Sequence, residues 1–304
     1  MNWRNVVSKI EIDQKRIVVD QKPFIECPRW HDGRLYFSDF YGTSVYSVEV
    51  DGAPREEVRV PGRPAGTGWL PDGQLLAVSQ AEKRLYRHGA DGPAVHSDMS
   101  RVMVGTANDM VVSSRGVAYV GNSGFDISDL SSFAPAPLVR VDASGIATVA
   151  SEPLFFPNGS ALTSDERTLI VAETMGNRLS EFDVDVDGRL GERRDWAVFG
   201  PTPATTDVME IIGRSVVGAD GICVDAEGAV WIADCYHQRV IRVAKGGEIL
   251  DSIDLGDLNA YAIGMGGPSG QTLFICVAPT PFEHLCVEAN AAAIWALDVP
   301  VPVR

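Results

Sequence analysis

Four oxygen-bearing residues, Glu26, Asn108, Asn158 and Asp220, each open a short apolar run that lies nine to eleven residues ahead of a second one. Two carboxylates and two amide carbonyls are hard donors: the acids balance a divalent charge and the amides fill the shell without excess anion. Brought together, they suit Ca2+, with Zn2+, Mn2+, Mg2+ or Fe2+ as other occupants. Read singly, each is equally an Asx or Glu residue accepting main-chain hydrogen bonds at a strand start. What unites them is a common phase.

That phase belongs to a repeat. The runs Leu35–Asp39, Leu75–Ser79, Val117–Gly121, Leu169–Glu173, Val230–Asp234 and Leu273–Val277 are rich in β-branched and aromatic residues. Each is followed by a second run with period-two alternation, such as Val45–Val48, Leu179–Phe182 and Val240–Val243. Turn pairs such as Asp51-Gly52, Asp91-Gly92 and Asp187-Gly188 close most units. Successive units start 40, 42, 52, 61 and 43 residues apart, close to the length of one four-stranded propeller blade. The expected fold is therefore all-β, a six-bladed β-propeller of four-stranded antiparallel blades occupying 1–304 as one domain. Gly66 and Ile263 hold the corresponding phase in the second and sixth units, so the polar set is no general blade requirement. Lys9–Asp13 or Arg16–Val19 is expected to close the ring beside Ile294–Val299. The long intervals, Phe125–Pro137 and Pro201–Gly218, read as rim loops and candidate lids.

Composition narrows the partners. With 41 acidic and 26 basic residues the net charge is −15, which repels phosphate backbones and anionic membranes. Neither nucleic acid nor membrane is an expected partner. No signal-like or membrane-length apolar run occurs, and cytoplasmic localisation is the expectation. Five cysteines, none in a Cys-x-x-Cys pair, read as reduced thiols. No His-Glu-x-x-His or Gly-x-Ser-x-Gly motif offers a zinc protease or serine hydrolase site.

Five segments in order, Glu26–Trp30, Gly68–Gln74, Asn108-Asp109, Phe156–Gly159 with Val171–Thr174, and Ala219–Asp225 with Val230–Asp234, resemble the SMP-30, gluconolactonase and luciferin-regenerating enzyme family of propellers. The resemblance covers nearly the whole chain. It implies that Glu26, Asn158 and Asp220 bind a metal, joined by Asn108, and that Asp220 is also the catalytic base. It further places Asn108, Asp126, Trp69 and Thr106 near substrate. Thr106 stands where sugar-lactonase members often carry Arg. Losing that fork, with Phe125, Phe133, Phe155 and Phe282 in rim segments, points to a substrate less polar than a sugar lactone.

The expected activity is metal-dependent opening of a small-molecule lactone or activated ester. The cation would polarise the carbonyl and acidify water, and Asp220 would take the proton. Two alternatives use the same seat: a calcium-dependent phosphotriesterase-like hydrolase, and a non-catalytic propeller that the metal only stabilises.

Overall fold

The computed structural model describes residues 7–126 and 133–303. Six antiparallel sheets form a ring, each built as a meander from an innermost strand outward. The innermost strands are Ile25–His31, Pro64–Trp69, Ala107–Val112, Pro157–Leu162, Ala219–Val224 and Asn259–Gly266. Each packs against the innermost strands of both neighbouring blades, so the circle is closed around a channel. The predicted repeats coincide with the second strands, for example Arg34–Asp39, Thr168–Glu173 and Val230–Asp234.

Ring closure uses the chain's beginning. Arg16–Lys22 pairs antiparallel with Ala292–Asp298 as the outer strand of the sixth blade. The earlier strand Ser8–Lys9 runs instead beside Ile249–Asp254 and adds a parallel fifth strand to the fifth blade. Of the two expected closing segments, only the later one closes the ring.

Every innermost strand breaks register once: between Glu26 and Arg29, Pro64 and Thr67, Ala107 and Met110, Pro157 and Ser160, Ala219 and Ile222, and Ala260 and Ala262. Such an irregularity bends the strand and re-aims the side chains at the break. Asn108, Asn158 and Asp220 lie inside these breaks and Glu26 at the edge of one. The pairing corrects the phase in two blades. Ala65 and Tyr261, rather than Gly66 and Ile263, match Glu26, because the hairpin to the second strand is longer in these blades: Trp69 pairs with Leu75 and Met265 with Leu273, where Trp30 pairs with Leu35.

Close approach of these strands depends on the glycines that follow. A Cβ on Gly159 would lie 2.4 Å from the Asp220 carbonyl oxygen, and one on Gly221 2.6 Å from Ala262 Cα. Those are contacts with the next blade's backbone, which a side chain cannot yield to. The hydrophobic clusters lie between blades, with Phe37, Tyr119, Phe182, Trp231 and Phe274 almost fully enclosed.

Two short helices, α1 (Val208–Arg214) and α2 (Glu283–Ala289), interrupt the strand pattern where the sequence suggests only loops. Asp207 caps α1 by accepting from the Glu210 amide. Val208 and Ile211 then pack onto Phe125, Phe133, Phe156 and Met175. The two candidate lids therefore share one apolar cluster, residues 127–132 lying outside the described residues.

We expect Gly159→Ala to lower the melting temperature by several degrees, an overpacking cost of about 1–3 kcal/mol. Gly213→Ala, where nothing lies within 4 Å of the added carbon, should be neutral or stabilising. Equal melting temperatures for the two variants would contradict the close-approach account.

Candidate functional site

The bulges deliver Glu26, Asn108, Asn158 and Asp220, from blades one, three, four and five, to the wall of one cavity of about 430 Å3. All four are buried, at 6%, 7%, 2% and 7% relative exposure. The Asn108 amide donates to Asn158 Oδ1 at 2.8 Å, tying two blades together. Asn158 Nδ2 donates to Thr174 Oγ1 at 3.1 Å, and the Thr174 hydroxyl donates to the Ala219 carbonyl at 2.7 Å. Gln80 Nε2 donates to Asn108 Oδ1 at 3.3 Å. A hydrogen-bonded chain thus links blades two to five.

The carboxylates are unlike the protein's other buried acids. Asp39 accepts from the Gly42 amide, Asp109 from Arg29, Glu173 from the Phe155 amide, Glu181 from Lys245, Asp225 from Arg242 and Asp234 from Arg239. Among the described residues, Glu26 and Asp220 pair with no basic group. Burial, then Asp220 and Asp109, pushes the Glu26 carboxyl well above its ordinary range. Burial, then Asp109, does the same to Asp220, against hydrogen bonds from Asn158 and Cys235 that pull it down. Burial keeps the Cys235 thiol protonated and able to donate. Two adjacent buried carboxylates with no cation of their own have the chemistry of a cation seat, and the amide oxygens complete a hard donor set. Among the described residues, no group of three or more His, Cys, Asp or Glu side chains could hold a metal. This donor set falls outside that description because half of it is amide.

Arg29 explains the motif residues that take no part in that set. It reaches across the channel from blade one to Asp109 and to the Met110 carbonyl, both at 2.8 Å. The Arg29 charge is therefore committed to Asp109.

The other expected contacts divide. Thr106 lines the cavity, while Asp126 lines an adjoining polar pocket of about 260 Å3 with Arg63, Gln80 and Lys83. Trp69 does not face either space. It stands at the far end of its strand, stacked on His31 with ring centroids 3.8 Å apart and edge-on to Tyr36. Four residues separate it from Ala65, about 13 Å along an extended strand, so the strand carries it to the other end of the channel.

Above the polar floor the walls are apolar: Phe24, Phe40, Phe125, Phe156 and Met175. Of the rim aromatics, Phe125, Phe133 and Phe155 belong to the cluster under α1, and Phe282 is 46% exposed beside the mouth. Tyr261, Arg63, Gln80, Thr174 and Cys235 also line these spaces and were not singled out by strand phase. The last three follow the second strands of blades two, four and five, so the same phase comparison shifted past that strand would have found them. Arg63 stands over the Tyr41 ring and pairs with Glu283 of α2, anchoring the rim.

Known proteins share this architecture. Over 98% of both chains, the structure matches the calcium-binding protein regucalcin from Agrobacterium tumefaciens with a TM-score of 0.78 at 17% identity. It matches a gluconolactonase from Xanthomonas campestris with a TM-score of 0.69 at 22% identity, over 94% of this chain and 89% of that one. In sequence it is 24% identical over 283 residues to 6-deoxy-6-sulfogluconolactonase of Pseudomonas putida, covering 91% of each chain. Residues 24–279 match the family described as the SMP-30/Gluconolactonase/LRE-like region. Spanning all but residues 1–23 and 280–304, that match makes this chain a member of the SMP-30/gluconolactonase/LRE-like family.

Proposed function

We propose that the protein is a metal-dependent hydrolase that opens lactone rings, with Ca2+ the expected cation. The observation that carries this reading is the pair of buried carboxylates, Glu26 and Asp220, with no basic partner among the described residues, on the polar floor of a cavity walled largely by aromatic side chains. The relatives named as gluconolactonase and sulfogluconolactonase support the reaction type, and the neighbour titled calcium-binding supports the ion.

Glu26, Asn158 and Asp220 would hold the cation, with Asn108 beside them. Bound there, it would polarise the lactone carbonyl and acidify a water molecule. Asp220 takes the proton from the attacking water, since a carboxylate held beside a cation stays ionised at neutral pH. Asn108 is fixed by Gln80 and Asn158 and presents a rigid edge to substrate. Phe24, Phe40, Phe125 and Phe156 exclude water and favour a ring bearing an alkyl or aryl group. Thr106 is short and uncharged, and the guanidinium that does line the cavity, Arg63, is paired with Glu283.

Three measurements test this reading. Stripping the metal with a chelator should abolish hydrolysis, and calcium or manganese should restore it. Asp220→Asn should lower kcat/KM by about 10²–10⁴ with unchanged circular dichroism; retained turnover removes Asp220 from the role. Full activity in the stripped wild type would remove the metal.

Stability of the metal-free protein should depend on pH in a definite sense. The native state holds protons on Glu26 and Asp220 more tightly than the unfolded chain does, so it is stabilised relative to it at low pH. That advantage is lost as pH rises from the ordinary carboxylate value of about 4 through the raised native values. Melting temperatures in chelator should fall over this window, and Glu26→Gln should flatten the profile. A wild-type profile no steeper than that of Glu26→Gln contradicts the electrostatics.

On a panel of γ- and δ-lactones, kcat/KM should rise roughly fourfold per added side-chain methylene until the cavity is filled. A preference for gluconolactone over alkyl lactones would overturn the less polar substrate.

A further inference from the structure

The positions immediately after the second strands of blades two to five hold Gln80, Ser123, Thr174 and Cys235, a second ring of polar side chains beside the first. Two of them bond directly to the inner ring, Gln80 to Asn108 and Thr174 to Asn158. Donor and acceptor rules fix the direction of these bonds from one atom.

That atom is the Ala219 carbonyl oxygen. A carbonyl can only accept, so the Thr174 hydroxyl, 2.7 Å away, must donate to it. With its hydrogen spent, Thr174 Oγ1 can only accept from Asn158, which places Asn158 Nδ2 against Thr174 at 3.1 Å. Asn158 Oδ1 therefore points away from Thr174 and meets Asn108 at 2.8 Å. The Asn108 atom that meets an oxygen must be Nδ2, so Asn108 Oδ1 turns to Gln80 Nε2. The sequence of obligations ends at Gln80 Oε1, which is buried with no partner among the described residues. An unsatisfied acceptor is costly. Reversing every amide would only put Gln80 Nε2 there as an unpartnered donor, and the Thr174 to Ala219 bond forbids that reversal at the other end of the chain.

We infer that Thr174 is a positioning residue: its hydroxyl, held by the Ala219 carbonyl, sets the amide orientation of Asn158 and, through it, of Asn108. This rests on the reading of Glu26, Asn158 and Asp220 as a cation seat. Without the hydroxyl, Asn158 can turn its Nδ2 toward the seat, where a hydrogen-bond donor repels a cation. Partners that orient metal ligands in this way are worth about 10–100-fold in affinity.

The test is a calorimetric titration of chelator-treated protein with calcium chloride, on the wild type, Thr174→Val and Thr174→Ser, with melting temperatures in chelator measured in parallel. Thr174→Val keeps the shape and should raise the calcium Kd by about 10–100-fold. Thr174→Ser keeps the hydroxyl and should stay within about threefold of the wild type, a rescue that packing alone does not give. Calcium binding by Thr174→Val equal to the wild type overturns the inference while leaving the cation seat intact. Equal losses in both variants also overturn it, since the hydroxyl would then not be the cause. A wild type that titrates with neither calcium, manganese nor zinc removes the seat itself and this inference with it.

Discussion

Two buried carboxylates with no basic partner among the described residues set the terms for the rest of this molecule. Isolated buried charges cost several kcal/mol each, and the protein elsewhere avoids that cost by giving every buried acid a guanidinium, an ammonium or a main-chain amide. At the channel mouth it does not. The nearby Arg29 is bound to Asp109, whose negative charge raises Glu26 and Asp220 further. An arrangement of this kind is unfavourable alone and favourable around a cation, and the ring is built to hold it in place.

The means are geometric. Residues of a blade repeat at equal radius and height, and the register break in each innermost strand aims one side chain at the axis. Glycines next to Asn158 and Asp220 let adjacent backbones approach until the side chains share a cavity. Arg29 and Asp109 join blades one and three across the channel. The chain from Gln80 to Ala219 joins blades two to five on the other side. The cavity so formed has a polar floor under aromatic walls, which are themselves pinned by α1 and by the pairing of Arg63 with α2.

Much of this was legible in the order of residues, because a repeat turns sequence distance into spatial phase. Glu26, Asn108, Asn158 and Asp220 were found by offset, and their common cavity follows from rotational symmetry. The offset failed where a hairpin changed length: Gly66 and Ile263 stand in for Ala65 and Tyr261, since the turns between strands vary in length while the strands keep their register. Trp69 failed for a different reason. A motif groups residues along a strand, but a strand extends the length of the channel and delivers its two ends to opposite faces. Thr174 and Gln80 share a phase just past the second strands, but their roles depend on which atom donates, and composition or period carries no such information. The helices α1 and α2 escaped because seven-residue helices owe their existence to tertiary contacts more than to propensity: α1 packs on Phe125, Phe156 and Met175, and α2 buries Cys286 in the main hydrophobic cluster.

The most direct test of the whole account is anomalous diffraction from crystals grown with manganese. It should show a single strong peak within about 2.0–2.6 Å of oxygens from Glu26, Asn158 and Asp220. A cavity that stays empty at saturating manganese, or a peak bound elsewhere on the ring, would contradict it.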